Sequence, residues 1–431
     1  MKKGNKEILD IALPSIVSNI TVPLLGLIDV AIVGHLGDAS YIGAIAIGGM
    51  IFNIIYWLFG FLRMGTSGMT SQAFGADEHQ ETARLLTRSL GVGISASFIL
   101  VLMQYPIERL SFAFIQTTSD IQTLTSQYFR ICIWGAPAVL GLYGLSGWFI
   151  GMQNSRYPMY VAITQNIVNI FASLLFVYGC GMKIEGVALG TLTAQYAGFI
   201  MAVLLWKYKY GELRPYISLK SLSDRQAMGR FFLVNRDIFL RTLCLITVTT
   251  YFTSAGATQG EIILAVNTLL MQLFTLYSYF MDGFAYAGEA LTGKYIGANA
   301  PQELRLMTRR LFSWGMGVAL FFTALYAIGG EGFLHLLTNE QEVIEASRSY
   351  FFWALLIPYS GYSAFLMDGI FIGATNTRYM LWGMLAASIG FFCIYFGLKD
   401  IMNNHALWLA FIAYLSLRGI VQRILGRKIL Q

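Results

Sequence analysis

Charged residues are scarce in this chain of 431 residues. Asp, Glu, Lys and Arg make up only 12% of it, whereas 56% of the residues are hydrophobic and the mean hydropathy is +0.60. A soluble globular domain carries about 25% charged residues. So few charges cannot cover a surface that faces water. This composition excludes an ordinary soluble protein, and we expect the chain to lie in lipid.

Cysteine and histidine are scarce as well, with four residues each. The histidines are scattered, and the cysteines lie in or beside apolar segments without the spacing of metal ligands. We therefore expect no metal site and no cofactor, and we interpret the cysteines as small core residues. These cysteines are Cys132, Cys180, Cys244 and Cys393.

Long hydrophobic runs are what the chain has in abundance. Runs of the ~20 residues that are needed to cross a bilayer recur from one end to the other. They predict an all-α polytopic membrane protein with twelve transmembrane helices. The predicted spans lie near residues 9–33, 41–63, 83–105, 121–150, 157–179, 184–206, 232–255, 262–286, 308–329, 347–373, 379–398 and 405–425.

Lys and Arg are concentrated in alternate loops between these runs. Lys2, Lys3 and Lys6 precede the first run, which is too long for a signal peptide and is interpreted as an uncleaved helix. The positive-inside rule places the basic loops and both termini in the cytoplasm. The formal charge of +6 is then a signal of orientation, and no nucleic-acid partner is expected.

The second half of the chain repeats the first. Phe149-Ile150-Gly151 returns as Phe371-Ile372-Gly373, a shift of 222 positions (371 − 149), and Gly75-Ala76 returns as Gly297-Ala298 at the same shift. Each copy holds six helices, an even number, so both enter the membrane in the same direction. We expect two lobes that are related by a pseudo-twofold axis along the membrane normal.

The predicted domains follow from this repeat. Residues 1–207 form an N-lobe with helices 1–6, residues 208–231 form a hydrophilic cytoplasmic linker, and residues 232–431 form a C-lobe with helices 7–12. Two like lobes with a cleft between them suit transport by alternating access. A duplicated scaffold or a channel is the alternative.

Asp29 is an acidic residue inside the first apolar run, and it follows Pro23 on the same predicted helix. An ionised side chain in a spanning helix costs at least ~2.5–3.5 kcal/mol, and it is usually paired or functional. Apolar surroundings disfavour the charged form of a carboxylate, which is the setting that a protonation switch requires. We expect Asp29 to bind a coupling ion and the proline-containing helix to bend. The alternative is an aspartate that reaches the outer surface.

Polar residues of the fifth and sixth runs are candidate partners for Asp29. Asn169 and Ser173 are four residues apart and hence on one helix face, and Thr191 lies on the next helix. They would hydrogen-bond Asp29 or line a cation site. Ordinary hydrogen bonding between membrane helices is the alternative for each of them. The predicted ion-coupling set is therefore Asp29, Asn169, Thr191 and Ser173.

The second half holds more charged residues within its predicted spans. Asp237 and Arg241 are four residues apart and Asp282 and Glu289 are seven apart, so each pair shares a helix face. Together with Asp368 they form a predicted C-lobe charge network. A structural clamp and an element of ion coupling both remain open for it.

Several segments are spread over nearly the whole chain. Together they are specific evidence for one family, although each segment alone is weak evidence. The segments are Leu25-Gly26-Leu27-Ile28-Asp29 to Gly34-His35-Leu36, Phe61-Leu62-Arg63-Met64 to Gln72-Ala73-Phe74-Gly75-Ala76, Asn235-Arg236-Asp237 to Arg241-Thr242, Met281-Asp282-Gly283 to Gly288-Glu289-Ala290, and Asp368-Gly369-Ile370 to Gly373-Ala374. As a set they resemble the multidrug and toxic compound extrusion (MATE) family, and within it the DinF-like branch.

The resemblance implies two six-helix lobes in a V-shaped transporter and export that is driven by inward flow of H⁺ or Na⁺. It also implies that Asp29 binds the coupling ion with the help of Asn169 and Thr191. Members often carry a second acid where this chain has Ser173, and the loss of that carboxylate favours H⁺ over Na⁺. We therefore predict a secondary antiporter that exports amphipathic or cationic organic compounds. We expect a monomer in the plasma (inner) membrane of a prokaryote, with small organic substrates and membrane lipid as its partners.

Two other functions agree less well with the sequence than antiport does. A flippase for lipid-linked precursors would need a basic central cavity, whereas Arg63, Arg130 and Arg241 are offset by acids here. An intramembrane enzyme would carry a motif such as His-Glu-x-x-His, Gly-x-Gly-Asp or Asp-Asp-x-x-Asp, and none is present. The sequence therefore favours a transporter over an enzyme.

Overall fold

The structure, a computed structural model, describes residues 3–35 and 37–430, so that the predictions for Lys2 and Leu36 lie outside it. Helices dominate this part of the chain. In order they are α1 (Lys3–Gly34), α2 (Ala39–Leu58), α3 (Phe61–Gly75), α4 (His79–Leu102), α5 (Gln104–Phe114), α6 (Ser119–Cys132), α7 (Ala136–Gly151), α8 (Arg156–Leu174), α9 (Ile184–Tyr210), α10 (Arg225–Ala257), α11 (Glu261–Gly297), α12 (Pro301–Leu337), α13 (Gln341–Arg348), α14 (Phe351–Gly373), α15 (Thr377–Met402), α16 (Asn404–Leu425) and α17 (Arg427–Leu430).

The predicted all-α polytopic membrane fold is confirmed. Eleven stretches of the described residues are long and apolar enough to cross a bilayer. The predicted seventh span lies within α10, a continuous helix of 33 residues. It is less apolar than the others because Arg236, Asp237 and Arg241 lie along it. The segment is therefore a helix where the sequence predicts one, with a more polar composition.

The repeat of the sequence is also a repeat of the backbone. Tight loops with a positive φ angle recur at the shift of 222 positions. Asp77 (φ 59°) corresponds to Asn299 (φ 51°), and Gln153 (φ 62°) corresponds to Thr375 (φ 53°). Few non-glycine residues adopt this conformation. Its occurrence at equivalent positions shows that the two copies share loop geometry as well as helix order.

Helix packing repeats in the same way. Gly147 on α7 lies directly against the carbonyl group of Arg63 on α3, and Gly369 on α14 lies against the carbonyl group of Ala285 on α11. Both residues of the second pair follow those of the first by 222 positions. A Cβ atom at either glycine would overlap the facing backbone. Small residues therefore permit the same close helix contact in both copies.

The copies differ where the second helix of each passes through the predicted membrane. In the first copy α2 ends at Leu58 and α3 begins at Phe61, so the helix is interrupted at Gly60. In the second copy α11 continues over 37 residues without a break, and Asp282 occupies the equivalent position. The duplicated scaffold thus carries different local chemistry at this point.

The chain divides into two compact units, and two helices belong to both of them. Val17–Asn235 forms one unit, and Met1–Ile16 together with Arg236–Gln431 forms the other. The helix α1 therefore begins in one unit and ends in the other, and so does α10. In this conformation α1 continues as one helix through both Pro14 and Pro23.

The first half of α1 is fixed to α11. The Tyr295 hydroxyl donates to Glu7 Oε2 at 2.6 Å, and Lys294 Nζ lies 3.5 Å from Glu7 Oε1. Further along, Ile16 packs directly on Gly283, where a Cβ atom would not fit. Polar contacts at one end and close packing at the other therefore hold this half of α1 in register with α11.

The predicted linker is ordered and partly helical. The helix α9 extends to Tyr210, two 3₁₀ turns follow at Gly211–Tyr216 and Leu219–Leu222, and α10 already begins at Arg225. The hydrophilic stretch between the predicted lobes is therefore a short folded connection.

Candidate functional site

Three of the predicted ion-coupling residues meet within the unit Val17–Asn235. Asp29 is buried near the end of α1, with 2% of its surface exposed. Thr191 on α9 donates its hydroxyl hydrogen to Asp29 Oδ2 at 2.7 Å. The Nδ2 group of Asn169 on α8 donates to Asp29 Oδ1 at 3.2 Å and to Thr191 Oγ1 at 3.2 Å. One carboxylate is thus held by two side chains from two other helices.

Close packing of α8 against α9 brings these partners to Asp29. Gly190 on α9 lies against the Cα and N atoms of Ser173 on α8, where an added Cβ atom would be only 2.8 Å from each. A glycine is therefore needed for the two helices to approach this closely. The next residue along α9 is Thr191, so the approach at Gly190 sets the position of its hydroxyl group beside Asp29.

The carboxylate of Asp29 is not neutralised by a cation. Among the described residues no Lys, Arg or His forms an ion pair with it, and its hydrogen bonds come from neutral groups. A buried charge without a partner is costly, and such a group either takes up a proton or binds a cation. The geometry is therefore that of a buried carboxylate that requires a proton or a cation for its charge to be compensated.

Two oxygen atoms on the face of α8 that carries Asn169 have no hydrogen-bond partner within the part of the chain that the structure describes. They are Asn169 Oδ1 and Ser173 Oγ, and both side chains are fully buried. Buried polar atoms are nearly always satisfied by protein, by water or by an ion. Ser173 thus belongs to the same polar region, although it does not bond to Asp29.

Two neighbours of the site were missed by the sequence analysis. Tyr128 and Cys132 on α6 are buried, and both lie close enough to Asp29 to interact with its charge. The Cys132 thiol also approaches the Ala188 carbonyl of α9, at 3.8 Å. Tyr128-Phe129 returns as Tyr350-Phe351 at the shift of 222 positions, but that signal marks the repeat and not the site. Nothing in the local sequence connects α6 with α1.

A further contact holds α8 on the proline-containing part of α1. The Nδ2 group of Asn166 donates to the Thr21 carbonyl at 3.0 Å, and Thr21 lies two residues before Pro23. Asn166 also donates to the Ala162 carbonyl of its own helix. The site around Asp29 and the backbone near Pro23 are therefore both connected to α8.

The contact at Gly190 yields a first prediction. We expect Gly190→Ala to destabilise the protein by about 1–3 kcal/mol, because the added methyl group meets backbone atoms of Ser173 that cannot move aside. The matched control is Gly49→Ala on α2, where a Cβ atom has nothing within 4 Å. An alanine there should be neutral or gain up to ~1 kcal/mol in helix propensity. Thermal melting of both variants measures the difference, and equal melting temperatures would contradict the assigned role of Gly190.

The predicted C-lobe network is only partly assembled in the unit that holds Arg236–Gln431. Asp368 on α14 accepts hydrogen bonds from the guanidinium groups of Arg241 on α10 and Arg418 on α16. Gln422 Nε2 donates to its other oxygen at 2.6 Å. All four side chains are buried. A single carboxylate therefore joins three helices.

Two members of this cluster, Arg418 and Gln422, were missed. Arg418 lies inside the last predicted span, near residues 405–425, but we expected it only to indicate orientation, like the other basic residues near the end of the sequence. The helix α16 continues to Leu425, so Arg418 lies within it. Arg418 and Gln422 are four residues apart and share a helix face. That spacing is the signal that could have indicated them.

The other predicted members of the network have different surroundings. Asp237 is buried, and it pairs with the neighbouring Arg236 at 3.0 Å and accepts from Thr377 at 3.3 Å. Although Asp237 and Arg241 share a face of α10, they do not form an ion pair. Asp282 and Glu289 both lie on α11, and Glu289 is 1% exposed.

Comparisons with known proteins show to which family this chain belongs. A family model described as MatE matches residues 14–175 and 238–396, once in each half of the chain. The chain belongs to the MATE family. It is 35% identical over 435 residues to DNA damage-inducible protein F of Escherichia coli (strain K12), with 99% of this chain and 93% of that protein covered. This similarity agrees with the DinF-like branch.

Two more distant proteins are also similar to most of the chain. Multidrug export protein MepA of Staphylococcus aureus (strain NCTC 8325 / PS 47) is 19% identical over 340 residues, which cover 79% of this chain and 75% of that protein. The crystal structure of a MATE protein in the bent conformation shares the fold, with a TM-score of 0.87 and 18% identity. It covers 100% of this chain and 98% of the other.

Membership of the MATE family makes the chain a membrane transporter and not an enzyme. In the ranges 3–35 and 37–430, no group of three or more His, Cys, Asp and Glu residues could hold a metal ion. The polar cluster around Asp29 and the charged cluster around Asp368 are therefore the candidate sites for coupling transport to an ion.

Proposed function

We propose that this chain is a secondary antiporter that exports amphipathic or cationic organic compounds in exchange for protons, with Asp29 as the protonation switch. The observation that carries the proposal is a buried carboxylate that has two neutral hydrogen-bond donors and, among the described residues, no ion pair with Lys, Arg or His. The similarity to a multidrug export protein supports organic substrates. The small-molecule substrate and the surrounding lipid are its partners.

A proton on Asp29 would change how α1 is bonded to α8 and α9. As a carboxylate, Asp29 accepts from both Thr191 and Asn169. Once protonated, one of its oxygens carries a hydrogen that needs an acceptor, and that oxygen accepts more weakly from its present donor. Proton uptake therefore alters contacts between three helices. In this mechanism α1 bends at Pro23. The hydrogen bond from Asn166 to the Thr21 carbonyl opposes this bend while it is formed and permits it when it breaks.

The arrangement in the membrane belongs to the same proposal. Lobes of residues 1–207 and 232–431 would rock about a central site, with the segment 208–231 between them on the cytoplasmic side. Both termini would be cytoplasmic, in the inner membrane of a prokaryote, and a monomer would suffice for transport. The MATE-family fold and a bacterial relative support this arrangement.

Sodium is the second candidate for the coupling ion, and one observation favours it. Asn169 Oδ1 and Ser173 Oγ are unsatisfied among the described residues, and they could join Asp29 as oxygen ligands. Hard cations prefer such oxygen ligands. A single carboxylate gives the site less negative charge than a pair would, so the proton remains our choice.

Transport in reconstituted vesicles tests the proposal directly. The purified protein is placed in proteoliposomes, and uptake or release of ethidium, a fluorescent organic cation, is followed while a pH gradient or a Na⁺ gradient is imposed alone. We expect the pH gradient to drive ethidium movement in the absence of Na⁺. Protein-free vesicles provide the control for passive leakage.

The outcomes separate the candidates. Movement that requires a Na⁺ gradient and ignores the pH gradient would replace H⁺ by Na⁺ as the coupling ion. No gradient-driven movement of ethidium or of other amphipathic cations would contradict antiport of this substrate class.

A further inference from the structure

The connection between α9 and α10 carries a concentration of exposed positive charge. We call Lys207–Arg230 the linker surface. It holds six basic residues and two acidic ones, Glu212 and Asp224, and all six basic side chains are exposed. The basic residues are Lys207, Lys209, Arg214, Lys220, Arg225 and Arg230.

The cations of the linker surface are not paired with acids in the part of the chain that the structure describes. Among the described residues none of the six forms an ion pair, whereas Arg88 is paired with Glu81 at 2.5 Å and Lys294 is paired with Glu7 at 3.5 Å. Asp224, one of the two nearby acids, accepts from backbone amides at the start of α10 and serves there as a helix cap. The linker surface therefore keeps a net positive charge that the chain itself does not neutralise.

The linker surface is held in place and is not a loose tail. The Nε group of Arg88 on α4 donates to the Ser221 carbonyl at 3.4 Å. Leu222 packs against Gly91 of the same helix, and Leu213 is 9% exposed. Three points of attachment thus fix the positions of the cations at the end of α9, where a spanning helix leaves the membrane.

Large apolar side chains project from the same segment. Tyr208 is 89% exposed and Leu219 is 78% exposed, and Tyr216 and Ile217 are each 40% exposed. Tyrosine and aliphatic side chains among Lys and Arg are typical of segments that lie at the boundary between lipid headgroups and acyl chains. Such side chains bury their apolar surface in lipid while the cations reach the headgroups.

We propose that the linker surface binds the headgroups of anionic phospholipids in the leaflet that it faces, which the positive-inside rule makes the cytoplasmic one. Unpaired cations supply charge complementarity to the lipid phosphate. Tyr208 and Leu219 supply apolar contacts that a free phosphate ion cannot satisfy. The lipid thereby holds the connection between the ends of α9 and α10 at the membrane surface. This proposal goes beyond export and does not depend on the coupling ion.

A lipid titration tests this proposal on the full chain. Detergent-solubilised protein is titrated with short-chain phosphatidylglycerol, with phosphatidylcholine of the same chain length, or with inorganic phosphate. Hydrogen exchange of the backbone amides in residues 207–230 reports binding. We expect phosphatidylglycerol to slow this exchange and the other two probes to have little effect. The double variant Arg214→Gln, Lys220→Gln should bind about twenty-five-fold more weakly, because each cation near an anionic surface contributes a factor of about five.

The matched control is Arg305→Gln with Arg309→Gln at the start of α12. It removes the same charge from two exposed residues that have no ion pair among the described residues, and it should bind phosphatidylglycerol like the wild type. Equal protection by both lipids, equal protection by inorganic phosphate, or an unchanged affinity of the linker variant would each overturn the proposal. An equal loss in the control variant would overturn it too, since it would assign the effect to overall charge.

Discussion

Asp29→Asn is expected to abolish proton-driven export and to leave the fold intact. Asparagine has nearly the same shape, and its carbonyl oxygen can still accept the hydrogen bond that Thr191 donates at 2.7 Å. It cannot bind or release a proton at this position. Ethidium movement under a pH gradient should therefore fall to the level of protein-free vesicles. The melting temperature should not fall, because the variant no longer buries a carboxylate charge that has no ion-pair partner among the described residues.

Asp38→Asn is the matched control for this experiment. Asp38 is exposed between α1 and α2, where hydrogen bonds from the hydroxyl and the amide of Ser40 lower the pKa of its carboxyl group. It caps α2, and asparagine is an equally good cap. This variant should transport like the wild type. Full proton-driven export by Asp29→Asn would contradict the switch, and loss of export in both variants would point to a general effect of removing an acid.

The polar partners of Asp29 could be predicted from the sequence because the cluster depends on few long-range contacts. An acid in an apolar helix must find polar partners, and Asn169 with its neighbour Ser173 already formed a polar face on another helix. The partners could be named, but their distances could not. Whether Ser173 or Thr191 bonds to the acid depends on how closely α8 and α9 approach, which Gly190 decides through tertiary packing.

The charged cluster of the second half shows why the rest could not be predicted. Spacing on α10 placed Arg241 beside Asp237, since residues four apart share a face. In the structure Arg241 instead bonds to Asp368, 127 residues away, and Asp237 keeps its neighbour Arg236. Periodicity shows which residues share a face of one helix, but it does not show which other helix that face meets. In the same way, spacing places Arg418 and Gln422 on one face of α16 but does not show that this face meets Asp368.

The internal repeat shows that Asp29 and Asp368 are not equivalent residues of the two copies. At the shift of 222 positions Asp29 corresponds to Tyr251, and Asp368 corresponds to Ser146, so neither acid has a counterpart in the other copy. Asp29 is bonded to neutral groups, and Asp368 is bonded to two arginines. We propose that the first acid exchanges an ion and that the second is a structural clamp. Their response to the same substitution distinguishes the two roles.

Asp368→Asn is accordingly expected to destabilise the protein, in contrast to Asp29→Asn. The substitution removes the carboxylate to which the guanidinium groups of Arg241 and Arg418 are both bonded, and these side chains are only 10% and 2% exposed. Removing one partner of a buried ion pair typically costs about 3–5 kcal/mol. Thermal melting should therefore show a clear loss of stability. Asp237→Asn is the matched control and should cost less, because the side chain of its partner Arg236 is 60% exposed and can remain solvated.

A second substitution separates a clamp from a coupling element. Adding Arg418→Met to Asp368→Asn removes one of the two uncompensated cations and returns the cluster to its original net charge. If Asp368 acts as a clamp, the double variant should regain part of the lost stability, because replacing buried ion pairs by apolar groups of similar size is often neutral or stabilising. A single variant Asp368→Asn that melts like the wild type but no longer transports would contradict the clamp. It would assign Asp368 to ion coupling beside Asp29.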